Sequence, residues 1–254
     1  IKNLQWKFVL NYTMNNPTVP TIMDILMIFS FHSSPHTQNF ASEIIEISLK
    51  TNLNELNVAF ELIDEYEFFL NIFANSKNVK LRANLMRCIL LLGVNERNEK
   101  TIIKTMKFKQ AILILIQLII TKSSSDKEKL ILFKICFNFL FDNFYSAKPK
   151  QHEILNPEAL MLLFILSSYM QREELVKYSI VLLNDFATFS NSISFLFSFD
   201  SWPVWSFIFA FNCYDIEEDY HTFAYFFSIF FNSSLTKGRI DFINSFMFFL
   251  DLIK

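Results

Sequence analysis

Residues 77–92, KNVKLRANLMRCILLL, decide how this chain folds. Lys80, Asn84 and Arg87 stand at i, i+4 and i+7, the spacing of one helix face, and nearly every other position is apolar. A surface helix of a globular domain is polar over about half of its circumference, whereas this one has only a narrow polar stripe. We therefore expect the stripe to face water and the other faces to contact neighbouring helices. Gly93 follows directly, and we expect it to end the helix in a left-handed C-terminal cap.

Helices of the same kind are predicted in the second half of the chain. Ser125 and Glu128 fit a capping box, in which the serine and the acid satisfy backbone donors at a helix start. Asn156 and Pro157 fit the N-cap and the first position of another helix. The predicted helices cover 126–144, the residues from 157 onward, 172–188 and 219–238.

The composition favours the same fold class. Of 254 residues, 32 are Phe and only 2 are Gly, and 52% are apolar. Because the tight turns of β-rich folds need glycine, so few glycines argue against such folds, and they exclude Gly-rich phosphate loops and dinucleotide-binding turns. We predict an all-α protein, an armadillo- or HEAT-like α-solenoid of about six helical hairpins with roughly 35–45 residues each. A compact, closed all-α domain is the structural alternative.

Residues 145–152, YSAKPKQH, form the most linker-like segment of the chain. We expect them to separate an N-terminal part of the helical array, 1–146, from a C-terminal part, 153–254, unless the solenoid is continuous. Because the chain begins at Ile1 rather than a methionine, we expect it to be a piece of a longer protein. Shorter connections are predicted at 15–21, 31–38 and 121–126. Residues 193–199 alternate at strand period, but the scarcity of turn residues favours a helix there.

A polytopic or membrane-embedded Phe-rich protein is the main competing interpretation. A spanning helix needs about 18–20 consecutive residues with few charges. The best tracts, 110–121, 159–171 and 222–236, are shorter and are bounded by charged residues or histidine. Joining the tracts on either side of Asp200 and Pro203 would place both residues in the middle of a span, where an aspartate costs roughly 2.5–3.5 kcal/mol. We therefore interpret the tracts as buried helices.

The charge balance and the cysteines bear on partners and compartment. With 23 basic and 25 acidic residues the net charge is −2, so no basic face is indicated and nucleic acid is not an expected partner. Cys88, Cys136 and Cys213 are far apart and odd in number. We expect buried, reduced thiols of an intracellular protein rather than disulfides.

No catalytic, cofactor or metal site emerges from the sequence. His32 and His36 have the spacing of two metal ligands on one helix face, but Pro35 lies between them, and we interpret both as loop histidines. Residues 64–67, DEYE, place carboxylates close together, but no basic or nucleophilic companion is near in sequence. We interpret them as the solvated face of a helix, and we expect a protein that is not an enzyme and that uses no cofactor and no metal.

Trp202 and Trp205 stand three apart and share a face if the segment is helical. Pro203 fits the first turn of such a helix, so we expect a new helix to begin at the tryptophans. Two roles remain open for the pair. The indoles either anchor packing between consecutive hairpins, which we favour, or form an exposed hot spot for a binding partner.

Residues 155–237 resemble part of the helical region upstream of the BEACH domain in neurobeachin- and beige-type proteins. That region has an Asn-Pro-led helix, an apolar helix with an Asn-containing turn, a W-x-x-W pair and a further long apolar helix. The corresponding segments here are NPEALMLLFILSS at 156–168, LLNDFATFSNSISFLFSFDSWPVWSFIFAF at 182–211 and TFAYFFSIFFNSSL at 222–235. The family usually has Gly or Pro before the first tryptophan, whereas Ser201 stands here and Pro203 follows.

The resemblance implies a large cytoplasmic scaffold of vesicle trafficking or membrane dynamics, with the BEACH domain and a propeller beyond Lys254. It also implies protein or peptide partners, and peripheral membrane association through the full-length chain. Together with the helical periodicity, it leads to the prediction of a non-catalytic helical-repeat scaffold that mediates protein–protein interaction.

Overall fold

The fold is that of a computed structural model, which describes residues 18, 22, 24–26, 34–51, 54–61, 63–99, 102–122, 125–141, 154–188, 196–197, 202–214, 219–236 and 244. All regular structure in these residues is helical, which confirms the predicted all-α class. Within the same ranges, no helix combines the length and the apolar character that crossing a bilayer requires.

The helices of the first half are α1 (Pro35–Lys50), α2 (Asn54–Glu61), α3 (Glu65–Asn75), α4 (Val79–Glu99), α5 (Ile102–Lys122) and α6 (Asp126–Leu140). Those of the second half are α7 (Leu160–Leu166), α8 (Arg172–Thr188), α9 (Trp202–Cys213) and α10 (Tyr220–Thr236), and short 3₁₀ turns, Pro157–Ala159 and Ser167–Tyr169, flank α7. The chain divides into two compact units, 1–128 and 129–254. The predicted boundary at 147–152 lies outside the described residues.

Several helices begin where their sequence signals predict. The Ser125 Oγ accepts a hydrogen bond from the Glu128 backbone N–H at 3.3 Å, which confirms the serine half of the capping box. Helix α9 begins at Trp202, with Pro203 in its first turn, as predicted. At α3, the Asp64 side chain is the N-cap and accepts from the Glu67 N–H at 3.0 Å.

Other predicted boundaries were wrong. Helix α1 begins at Pro35, so His36 is helical and not part of a loop, because a proline at the first position starts a helix instead of breaking it. Asn156 and Pro157 stand at the predicted N-cap and first position, but they open a 3₁₀ turn, and the Asn156 side chain does not cap it, since its Nδ2 donates to the Phe139 carbonyl at 2.8 Å. Helix α6 ends at Leu140, before the predicted 144. Of the alternating segment 193–199, the structure describes only a helical residue 196 and a turn residue 197.

Gly93 does not end α4, which continues for another turn and a half to Glu99. The glycine is instead a contact point with α5. A Cβ atom added there would lie 2.6 Å from the Cζ of Phe108, far inside normal contact distance, so only glycine lets the Phe108 ring pack against the α4 backbone. The residue predicted as a cap is therefore required by helix packing.

The sequence analysis expected the polar stripe of α4 to face water, but most of the stripe is buried or half-buried against α1. Asn84 is 2% exposed, and its Nδ2 donates to the Ser42 Oγ of α1 at 2.8 Å. Arg87 is half-buried, donates to the Asn84 Oδ1 at 2.8 Å and lies 4.0 Å from a Glu46 carboxylate oxygen. Only Lys80 at the helix start is exposed. The stripe contacts a polar stripe on α1, and the two satisfy each other.

Arg82 forms a second polar contact inside the first unit. Its side chain is 3% exposed, and its Nε lies 3.3 Å from the Glu128 Oε1, whose side chain is fully buried. The guanidinium also donates to the Lys122 carbonyl at 2.9 Å and lies over the Phe73 ring. One side chain on α4 thus contacts the last turn of α5, the first turn of α6 and a core ring of α3.

Contacts between neighbouring helices show their relative directions. In the first unit, Glu43 pairs with Lys80 and Glu46 lies near Arg87, so α1 and α4 run parallel. Helices α3 and α5 are also parallel, because Asp64 pairs with Lys107 near both N-termini and Asn71 lines one cleft with Ile114 further along. The intervening helix α4 is antiparallel to α5, since its Gly93 contacts Phe108 near the start of α5 and Arg82 reaches the end.

The second unit has an aromatic core. Phe164 of α7 stacks on Phe209 of α9 at a ring-centroid distance of 4.7 Å, and Phe209 contacts Phe226 of α10. Phe186 of α8 meets Phe230 edge to face at 5.4 Å. In the described part of this unit these rings are at most 3% exposed, as expected of the buried helices that the sequence analysis predicted.

The second unit repeats the parallel arrangement. Phe164 and Ser167 contact Phe209 and Asn212 in the same order, so α7 with its 3₁₀ extension runs parallel to α9. Helices α9 and α10 form an antiparallel hairpin, in which Trp202 at the start of α9 stacks on Phe230.

The cysteines are buried and free, as predicted. Burial disfavours the charged thiolate and raises the pKa of the thiols of Cys88, Cys136 and Cys213 well above the ordinary 9.0. The thiolate is the reactive form, so the folded protein holds these groups as inert apolar side chains.

We predict that Gly93→Ala destabilises the protein by about 1–3 kcal/mol, because the added methyl group overpacks against Phe108. Urea unfolding measures the change. In a Phe108→Leu background, the same substitution should become neutral or stabilising, since alanine is the better helix former. An equal cost in both backgrounds would contradict the contact.

We predict that the three thiols do not react with a thiol reagent at pH 8 during the time in which urea-unfolded protein is fully modified. Because the folded thiol pKa values are raised, their contribution to stability is present below pH 9.0 and is lost as the pH rises further. Modification followed by absorbance, with the unfolded protein as control, makes the test. Rapid native labelling of any of the three would show that the thiol is accessible.

Candidate functional site

A cleft of about 360 Å³ lies between the parallel helices α3 and α5. Its apolar lining consists of Tyr66, Leu70, Ala111 and Ile114. The first three are buried, and Ile114 is 38% exposed. Ala111 and Ile114 stand three apart on α5 and therefore share one face of that helix. Leu70 of α3 lines the same cleft. The cleft therefore has an apolar floor and an apolar wall that water reaches.

Tyr66 fixes the floor of the cleft. Its side chain is 3% exposed, and its ring lies 6.1 Å from the Phe108 ring, the same ring that packs against Gly93. Phe108 therefore contacts both Gly93 of α4 and Tyr66 in the floor of the cleft.

Polar groups stand at one end of the cleft and along its mouth. Lys107 Nζ lies 3.2 Å from Asp64 Oδ2, and both side chains are more than 40% exposed. Glu67, Asn71 and Gln110 complete the polar lining. Among the lining residues, two carboxylates face one ammonium group.

The pKa of Asp64 lies below its ordinary value. The first cause is the hydrogen bond that its carboxylate accepts from the Glu67 backbone N–H, and the bond and charge of Lys107 add to it, while partial burial opposes them. Asp64 is therefore ionised at neutral pH. It caps α3 and holds Lys107 at the cleft at the same time.

One face of α5 continues the apolar surface beyond the cleft. Met106, Leu113 and Ile120 are 65%, 46% and 46% exposed, and with Gln110 and Gln117 they stand at alternating spacings of four and three. This is the spacing of an interhelical seam. We call these five residues the α5 exposed face. Single exposed apolar residues are ordinary, whereas here three of them lie on one face of one helix.

The residue types that line the cleft bear on what it can hold. No serine, cysteine or histidine is among its lining residues. Among the described residues of the chain, no three His, Cys, Asp or Glu side chains are grouped so that they could hold a metal ion. The apolar floor with polar groups at its rim suits an apolar side chain accompanied by a charged group.

The residues singled out from the sequence lie elsewhere. Trp202 is 4% exposed and packs between the rings of Phe197 and Phe230, at centroid distances of 4.5 and 5.8 Å. Trp205 is half-buried on the next turn of α9. Trp202 therefore occupies a packing position, and neither tryptophan is among the lining residues of the α3–α5 cleft.

The cleft draws its acidic residues from the segment 64–67, which the sequence analysis interpreted as the solvated face of a helix. Asp64 and Glu67 are exposed, in agreement with that interpretation, but they also line the cleft, and Tyr66 between them is buried in its floor. The local sequence contains no basic residue, because the partner, Lys107, comes from α5. A candidate N-cap at Asp64 was the only local signal.

Comparison with known proteins gives no match, since no family model, no curated protein and no solved structure is significantly similar to the chain.

We predict that Asp64→Ala lowers the free energy of unfolding by about 1 kcal/mol at pH 7, because the α3 N-cap is lost. The folded-state pKa is lowered, so the stabilisation is present above the ordinary pKa of 3.8 and disappears as the pH falls through the lowered value. Urea unfolding between pH 7 and pH 3 measures this. Asp64→Asn is the matched control, since asparagine caps equally well, and a loss as large as that of alanine would assign the effect to Lys107.

Proposed function

We propose that the chain is a non-catalytic helical scaffold of the α-solenoid type that binds a protein or peptide partner. In a solenoid, each hairpin lies beside the next one, so alternate helices are neighbours and run in the same direction. The parallel pair α3 with α5 supports this arrangement, as does the antiparallel hairpin of α9 and α10.

The observation that carries the binding function is the α5 exposed face beside the α3–α5 cleft. Residues 81–93 of α4 are buried or half-buried, whereas α5 leaves Met106, Leu113 and Ile120 accessible. Burying apolar area releases about 25 cal/mol per Å², so such a surface favours a partner that covers it. Helical-repeat scaffolds bind partners on extended surfaces of this kind.

We further propose that this scaffold belongs to a BEACH-type protein of vesicle trafficking, located in the cytoplasm and associated with membranes through other parts of the full-length protein. The support is the resemblance of residues 155–237, whose W-x-x-W pair stands at the start of α9 and is followed by the long apolar helix α10. A BEACH domain encoded downstream of Lys254 would establish the assignment, and an unrelated downstream sequence would refute it.

Two measurements test the scaffold proposal. Small-angle X-ray scattering of the purified chain should give an elongated particle, and a compact one would contradict the solenoid. Selection against a library of random 16-residue peptides should give ligands whose binding protects helix surfaces from hydrogen exchange. Failure to enrich any such peptide would contradict the binding function.

A further inference from the structure

We draw no further inference here: the strongest candidate, the α3–α5 cleft with the α5 exposed face beside it, carries none, because nothing in the described part of the structure shows what covers it.

Discussion

The enclosure of α4 is the constraint on which the first unit depends. A helix with neighbours on most sides cannot leave its polar groups to water, and an unpaired polar group in an apolar environment costs roughly 2–7 kcal/mol. Asn84 and Arg82 are therefore matched by specific partners, Ser42 on α1 and Glu128 on α6. These pairings also fix the positions of the helices. A shift of α1 along α4 would leave the buried Asn84 Nδ2 without its acceptor, the Ser42 Oγ. The polar stripe thus specifies which helix lies beside α4 and in what register.

In the second unit, contacts between aromatic rings hold neighbouring helices together. Phe164, Phe186, Phe209, Phe226 and Phe230 come from four helices and contact one another in edge-to-face, tilted or stacked geometry. Such pairs add about 0.5–1.5 kcal/mol to the burial of their area and have preferred orientations. Trp202, which packs between Phe197 and Phe230, belongs to the same aromatic core.

The sequence predicted the helices and several of their starts, because periodicity, caps and proline are local signals. It could not predict what covers a given helix face, since a polar stripe looks the same whether water or another helix satisfies it. Gly93 shows the same limit, as a glycine near the end of an apolar run suits a cap and a close helix contact equally well. The cleft was missed for a related reason. Asp64 and Lys107 are 43 residues apart in sequence, and only the parallel packing of α3 and α5 brings them together.

The cleft and helix α4 are connected through one side chain, Phe108. The Phe108 ring fills the space that Gly93 leaves open, and Tyr66 packs against that ring. Because α5 is drawn toward α4 on this side, its opposite surface carries Met106, Leu113 and Ile120 outward. The packing that stabilises the unit on its inner side therefore also decides which side chains of α5 reach its outer surface.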